Sequence, residues 1–255
     1  LFGNEAQNRA SLLNLEYPIH KGIVTDWDNM EKIWEYTFKD ELSTDPSEHP
    51  VVLTESLQNP KANRERMIQI MFETFNVPYF YSESQELLSF FGARNLNGML
   101  CNIGHQSFQT VQMDDGYLVE ETYISQDMGG ESITLFLQEM LKKREYIFST
   151  PADLNILREI KEQRAYVALN YEDQIREAKT SSWYDIYNIP YGDQINITKE
   201  RFKCAELLFN PKLNDLKCDG IDKTIFNSIM KSEDHFHKDL FNSIILSGAS
   251  SCIEG

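Results

Sequence analysis

Cysteine is scarce in this sequence: four among 255 residues, at positions 101, 204, 218 and 252, with no close pair. Such spacing fits neither a zinc site nor a small disulfide framework, so reduced thiols in an intracellular compartment are expected. Long apolar runs are missing too. The longest uncharged stretches, such as residues 241–253, are too short and too polar to span a bilayer. Basic residues are outnumbered, 24 Lys and Arg against 40 Asp and Glu, for a formal charge of −16. Phosphates would be repelled, which speaks against nucleic acid and anionic membrane as general partners. The first 14 residues lack a basic start followed by an apolar block, so no signal peptide is expected there. With Leu rather than Met at position 1, the sequence is expected to be a piece of a longer chain. His235 and His237 flank Phe236 and would diverge on a helix, so no metal site is expected there. Low-complexity segments and short repeats are likewise absent.

What is present is a globular chain, 41 % hydrophobic and 12 % aromatic, in which helical and strand patterns alternate. That alternation predicts an α/β architecture. Asp26 caps a helix over 27–38 with Met30, Ile33, Trp34 and Phe38 on one stripe. A strand over 49–54 follows, then a helix after Pro60 carrying Met67, Ile70, Met71 and Phe75. Next come a strand over 77–81 and a helix over 83–91. Strands over 98–102, 107–113 and 117–123, with Asp114-Asp115-Gly116 as a hairpin turn, form a three-stranded meander. Two helices follow, over 132–146 and, capped by Thr150 with Pro151 at its first position, over 150–169. A polar break at 179–182 and a turn at 190–193 lead into a strand over 194–197. Helices near 200–208, 223–230 and 233–242 and a strand over 243–246 complete the pattern.

Several stretches resemble actins at the length of whole phrases: Tyr17-Pro18-Ile19 through Gly22-Ile23-Val24-Thr25-Asp26-Trp27-Asp28 to Met30-Glu31-Lys32-Ile33-Trp34 is one. Others are His49-Pro50-Val51-Val52-Leu53-Thr54-Glu55, Asn59-Pro60-Lys61-Ala62-Asn63-Arg64-Glu65 and Gln69-Ile70-Met71-Phe72-Glu73-Thr74-Phe75-Asn76. Ile160-Lys161-Glu162, Tyr166-Val167-Ala168-Leu169, residues 224–231 and Leu246-Ser247-Gly248 continue the likeness in order. The resemblance implies part of the actin-like ATPase fold, two lobes built on a duplicated ribonuclease H-like βββαβα unit, with nucleotide and a divalent ion between them. On that basis residues 1–92 are expected to end the first lobe. Residues 93–255 are expected to form the second, with its meander over 97–123. The first phosphate hairpin is expected upstream of Leu1, and the end of the nucleotide loop beyond Gly255.

The resemblance also assigns residues to the cleft. Where actins carry Asp-Ser-Gly-Asp-Gly in the second phosphate hairpin, this chain has Asn102-Ile103-Gly104-His105-Gln106, and Gln109 stands where a His is expected. Asn102 lacks the charge that a hard divalent cation prefers. His105 adds bulk and can add positive charge, and Gln106 replaces a glycine that allows close backbone approach. Gln85 matches the glutamine that positions the attacking water. Gly130 matches a cleft glycine, and Arg158, Lys161 and Glu162 match residues bordering adenine and ribose; by pattern alone, the three charged ones read more simply as a solvated helix face. Gly248 and Ala249 open the loop that follows the last strand, where Ala and Ile253 replace Gly and Tyr. Lys21 takes the place of a His, and Ser125 that of an Arg near the phosphate exit, where Asn59 is kept. Phe91 and Tyr117, beside Arg94 and Leu96, mark the expected partner cleft.

These substitutions imply ATP or ADP as ligand, a poor site for Mg²⁺ and no efficient ATPase. The expected function is a structural subunit of a cytoskeletal or multiprotein assembly in the cytoplasm, cilium or nucleus, with protein subunits as partners. The alternative is a divergent actin that polymerises and hydrolyses ATP. A sugar- or acetate-kinase-like enzyme of the same superfold would need an acid or base in the cleft, and the sequence offers no evident one.

Overall fold

A short polar side chain followed by an apolar stripe starts the helix α2, Trp27–Tyr36, as the sequence predicts: the Asp26 carboxylate accepts the Asn29 N–H at 3.1 Å. In the computed structural model, which describes residues 1–180, 184–189, 192 and 194–255, α2 follows helix α1 (Gly3–Asn8) and the small antiparallel hairpin of β1 (Ile19–His20) and β2 (Ile23–Val24). The expected break at 179–182 falls partly on Ser181 and Ser182, and the turn at 190–193 on Pro190, Tyr191 and Asp193. Those residues lie outside the described ones.

Strands β3 (Val51–Glu55) and β4 (Phe80–Ser84) run parallel, with helix α3 (Lys61–Gln69) between them in the chain. Met30, Trp34, Val51, Met67, Ile70, Met71, Phe75 and Val77 form one buried core with this pair. Strand β4 begins three residues later than the apolar run at 77–81 predicts. The Val77 N–H is spent on the Met71 carbonyl at 3.1 Å, closing the end of the preceding helix, and Pro78 has no N–H to give. Ser84 then caps helix α4 (Gln85–Gly92) by accepting the Leu87 N–H at 3.3 Å, so Glu83 belongs to the strand and not to the helix.

The meander is present as β5 (Gly98–Ile103), β6 (Phe108–Asp114) and β7 (Tyr117–Gln126), three residues longer at its end than the sequence suggests. Helices α5 (Gly130–Lys142), α6 (Pro151–Arg164) and α7 (Tyr171–Thr180) come next, then the hairpin β8 (Asp185–Asn188) and β9 (Gln194–Ile197). Helices α8 (Glu200–Ala205), α9 (Ile221–Ile229) and α10 (Asp234–Asn242) lead to β10 (Ile244–Ser247). β10 returns to lie parallel to β5, which makes the strand order β10-β5-β6-β7.

Thr150 and Asp153 form the expected capping box at the start of α6. The helix does not reach residue 169. Ala165 turns to extended backbone and Val167 N–H bonds the Glu254 carbonyl, which leaves Leu169 fully exposed. One face of α5, with Ile133, Phe136, Leu137, Met140 and Leu141, joins Leu157 and Ile160 of α6 and Phe108 of β6 in the largest core. The other sheet face packs Leu100, Val111 and Met113 against Phe90 of α4 and against Leu57, so this cluster draws on residues from both sides of position 92.

Phe108 has no exposed surface, so Phe108→Ala is expected to cost about 3–5 kcal/mol in urea denaturation. Burial pushes the Cys101 and Cys204 thiols up to about 12, while Cys252 is exposed. Disulfide-exchange labelling at pH 8 should therefore modify Cys252 in the native state and reach Cys101 and Cys204 only on unfolding.

Candidate functional site

The loop joining β5 to β6 is held from behind by backbone. The Gly130 N–H donates to the Gly104 carbonyl at 3.0 Å and the Glu131 N–H to the His105 carbonyl at 2.7 Å. The hairpin thus caps the N-terminus of α5, consuming donors that a helix start otherwise offers to an anion. The approach needs bare backbone: a Cβ on Gly129 would lie 2.6 Å from the carbonyl oxygens of both Gly104 and His105. Gly248, at φ 85°, would place a Cβ 2.3 Å from the Ile103 carbonyl oxygen. The Ser250 hydroxyl adds a third bond to the Gly104 carbonyl at 3.0 Å.

In front of this backbone lies a cavity of about 900 Å³. It gathers most of the residues that the sequence singles out: Gln85, Asn102, Gly104, His105, Gln106, Gln109, Arg158, Gly248 and Ala249 all line it. Gly130 and Lys161 are buried behind that wall, and Glu162 is exposed. Phe91 and Tyr117 are exposed and not among the lining residues; the Leu96 carbonyl accepts the Gly116 N–H, next to Tyr117, at 2.9 Å.

Strand register sets the character of the cavity floor. Ser247 pairs with Asn102, Asn102 with Gln109 and Gln109 with Ser125, one uncharged polar rung across four strands. Its two middle side chains, which line the cavity, each make a hydrogen bond within the protein. The Ser247 hydroxyl donates to Asn102 Oδ1 at 3.1 Å, and Gln109 Nε2 donates to the Ser107 hydroxyl at 2.7 Å. Gln106 Oε1 accepts the Lys21 backbone N–H at 2.7 Å, while Lys21 Nζ pairs with Asp127 at 2.7 Å. The hairpin of β1 and β2 is thereby strapped to the β5–β6 loop. Asn59, expected at an exit gate opposite Ser125, donates to Glu55 Oε2 at 2.6 Å.

His105 is exposed; desolvation and then Arg158 lower its pKa, with Lys161 adding to the effect against Glu131 and Glu162, which favours the neutral imidazole. Of the cations on α6, Arg158 lines the cavity and Lys161 lies behind its wall. Lys161 is buried, its Nζ reaching only the Gly130 carbonyl at 3.2 Å, and burial lowers its pKa. Arg158 has a buried Nε with no partner. Neither is in an ion pair among the described residues.

Two features of the site escaped the sequence. Gln106 reads as a lost glycine, not as an acceptor for another hairpin. Glu86 also lines the cavity; it is 2 % exposed and its Oε2 has no partner. This corrects the expectation that the cleft holds no acid. Its signal was present in the spacing: Glu86 lies four residues before the fully buried Phe90, on the inward face of α4.

At the loop a hard divalent cation would meet amide oxygens and an imidazole, a poor donor set, although the Glu131 carboxylate also lines the cavity. An anionic ligand would meet Arg158, which lines the cavity and has a buried Nε with no partner. A family model described as Actin matches residues 1–255, the whole sequence. Gly129→Ala should detach the hairpin from α5 and cost about 1–3 kcal/mol in chemical denaturation. Ser132→Ala, whose hydroxyl accepts the Gly129 N–H only at 3.5 Å, should cost far less.

Proposed function

Because the chain belongs to the actin family, we propose that it is a structural subunit of a cytoskeletal or other multiprotein assembly, whose cleft holds an adenine nucleotide without hydrolysing it efficiently. Members of the family generally bind ATP or ADP with magnesium. The observation that carries the proposal is the uncharged rung Ser247–Asn102–Gln109–Ser125 on the cavity floor. Hydrolysis needs a metal to neutralise the phosphates and an oriented water. Asn102 and Gln106 offer amide oxygens that Ser247 and Lys21 already occupy, so this floor does little to organise a metal's water shell. Arg158 would hold the nucleotide's negative charge at the cavity wall, with Lys161 behind it adding to the positive potential. ADP or ATP so held would brace the lobes, the hairpin of β1 and β2 on one side and α6 on the other.

A working, divergent actin that polymerises and turns over ATP is the second reading. It is supported by Gln85, which lines the cavity from the first turn of α4 and can orient a water. The exposed residues Phe91, Leu96 and Tyr117 are the proposed protein-binding patch, and the cytoplasm or cytoskeleton, including cilium or nucleus, the proposed location.

Single-turnover ATP hydrolysis with Mg²⁺, beside a pelleting assay, separates the two readings. Hydrolysis at an ordinary actin's rate would defeat the structural one. The combined variant Asn102→Asp, His105→Asp, Gln106→Gly should raise Mg²⁺-dependent nucleotide affinity by tenfold or more, about 1.4 kcal/mol, as read by calorimetry with and without chelator. Unchanged affinity would mean that the hairpin does not border the ligand. Tyr117→Ala should weaken capture of the chain by its assembly partners and leave nucleotide affinity alone.

A further inference from the structure

Resting on the reading of the cleft as a nucleotide site, we infer that Lys21 is a latch. It holds the β1–β2 hairpin shut over the cavity of the ligand-free protein, and its opening gates ligand entry and release. Lys21 is the first of two residues at the hairpin tip, beyond the last pair of the ladder, His20 with Ile23. Its φ of 49° and the 80° of Gly22 are the paired left-handed values of a tight two-residue turn. A tip N–H lies outside the ladder and needs a partner elsewhere, or water. Here it donates to Gln106 Oε1 at 2.7 Å, while Nζ of the same residue reaches Asp127 Oδ2 at 2.7 Å.

Both ends of the latch are anchored. On the receiving side, the carbonyl of His105, next to Gln106, is held by the Glu131 N–H, and Asp127 precedes Met128, which has no exposed surface. Gln106 and Asp127 thus come from two segments that the start of α5 already ties together. On the hairpin side, the Thr25 and Asp26 N–H groups both donate to the carbonyl of buried Pro18, at 2.8 and 3.3 Å, and Asp26 caps α2. The cavity lies between these anchors: Tyr17, Ile19, His20 and Gly22 line it from the hairpin side, and Glu131 lines it from α5. Among the described residues, no other hydrogen bond or ion pair joins residues 17–24 to the β5–β6 loop or the β7–α5 link. The latch also belongs to this particular sequence, since a glycine at 106 would offer no side-chain acceptor.

The hairpin ladder is only two residue pairs long, and so small a hairpin is marginal by itself. Undocking therefore lets the whole segment exchange, whereas loss of one local bond frees only the Lys21 amide. Hydrogen exchange over residues 19–25, Lys21 excepted, is measured on the ligand-free full chain, beside release of fluorescent ADP chased by unlabelled ADP. Wild type is compared with Gln106→Ala, Gln106→Glu and Asp127→Ala. Asp127 does not line the cavity, so its variant reads the latch without changing the ligand's surroundings. Gln106→Ala should speed segment exchange and ADP release about three- to tenfold, the worth of one hydrogen bond. Asp127→Ala should speed both about two- to fivefold, as for an exposed ion pair. Gln106→Glu keeps an acceptor oxygen and should hold segment exchange at the wild-type rate. Added salt should speed ADP release from wild type more than from Asp127→Ala, because only wild type has the ion pair to screen; salt acting on ADP itself cancels in that ratio. Segment exchange unchanged in both Gln106→Ala and Asp127→Ala would overturn the latch and leave nucleotide binding standing. Faster segment exchange with ADP release unchanged would overturn the gate. If ADP binds none of these proteins, the nucleotide reading falls and the gating role with it, while segment exchange still decides whether Lys21 holds the cavity shut.

Discussion

The contact between two carbonyls and the start of one helix organises the rest of this molecule. Gly104 and His105 accept the first free N–H groups of α5, and the β5–β6 loop is thereby fixed against the largest core. Packing behind it, through Ile133, Phe136 and Leu137, keeps α5 from retreating, so the loop cannot relax without opening that core. The glycines at 129 and 248 are the steric condition for this arrangement, because a side chain at either place would overlap a carbonyl oxygen. The same contact has a chemical consequence: a helix start that caps a protein loop is no longer free to bind phosphate.

Charge in the cleft is accordingly redistributed, not simply removed. The sheet rung through Asn102 and Gln109 carries no carboxylate, and the Asn102 oxygen is tied up by the Ser247 hydroxyl, as that of Gln106 in the loop is by the Lys21 N–H. Positive charge comes from Arg158 on the cavity wall, with Lys161 buried behind it, and neither is in an ion pair among the described residues. Acids do reach the cavity: Glu131 from α5 and, deeply buried, Glu86 from α4, whose pKa burial raises. Binding without metal-assisted hydrolysis is the function we propose for such a distribution. The strap from Lys21 to Gln106 and Asp127 closes the arrangement on the side of β1 and β2. Its ion pair is exposed and worth little by itself, less than about 1 kcal/mol, so the backbone bond to Gln106 is the more stabilising of the two.

Much of the fold was legible because local chemistry and tertiary packing agreed. Asp26, Thr150 and Pro151 mark helix starts through short-range hydrogen bonds that need no distant partner. The apolar stripes of α2 and α5 are buried as their spacing predicts. The misreadings fall where a distant group intervened. Val77 and its neighbours look like a strand, yet the backbone there is spent on closing a helix. Residues 165–169 look helical, yet Val167 is claimed by Glu254.

The sequence by itself determined the α/β class, the family likeness and the loss of acidic groups from the hairpin, because each depends on residue identity in a short, ordered stretch. Only the tertiary structure decided what those residues do. Whether Asn102 is free to hold a cation depends on Ser247, 145 positions away, and the charge on His105 depends on burial and on Arg158. Glu86 is an ordinary surface-type residue until α4 packs against the sheet and seals it from water. Hydrogen-bond saturation and desolvation are properties of surroundings assembled from distant parts of the chain, and no local pattern encodes them.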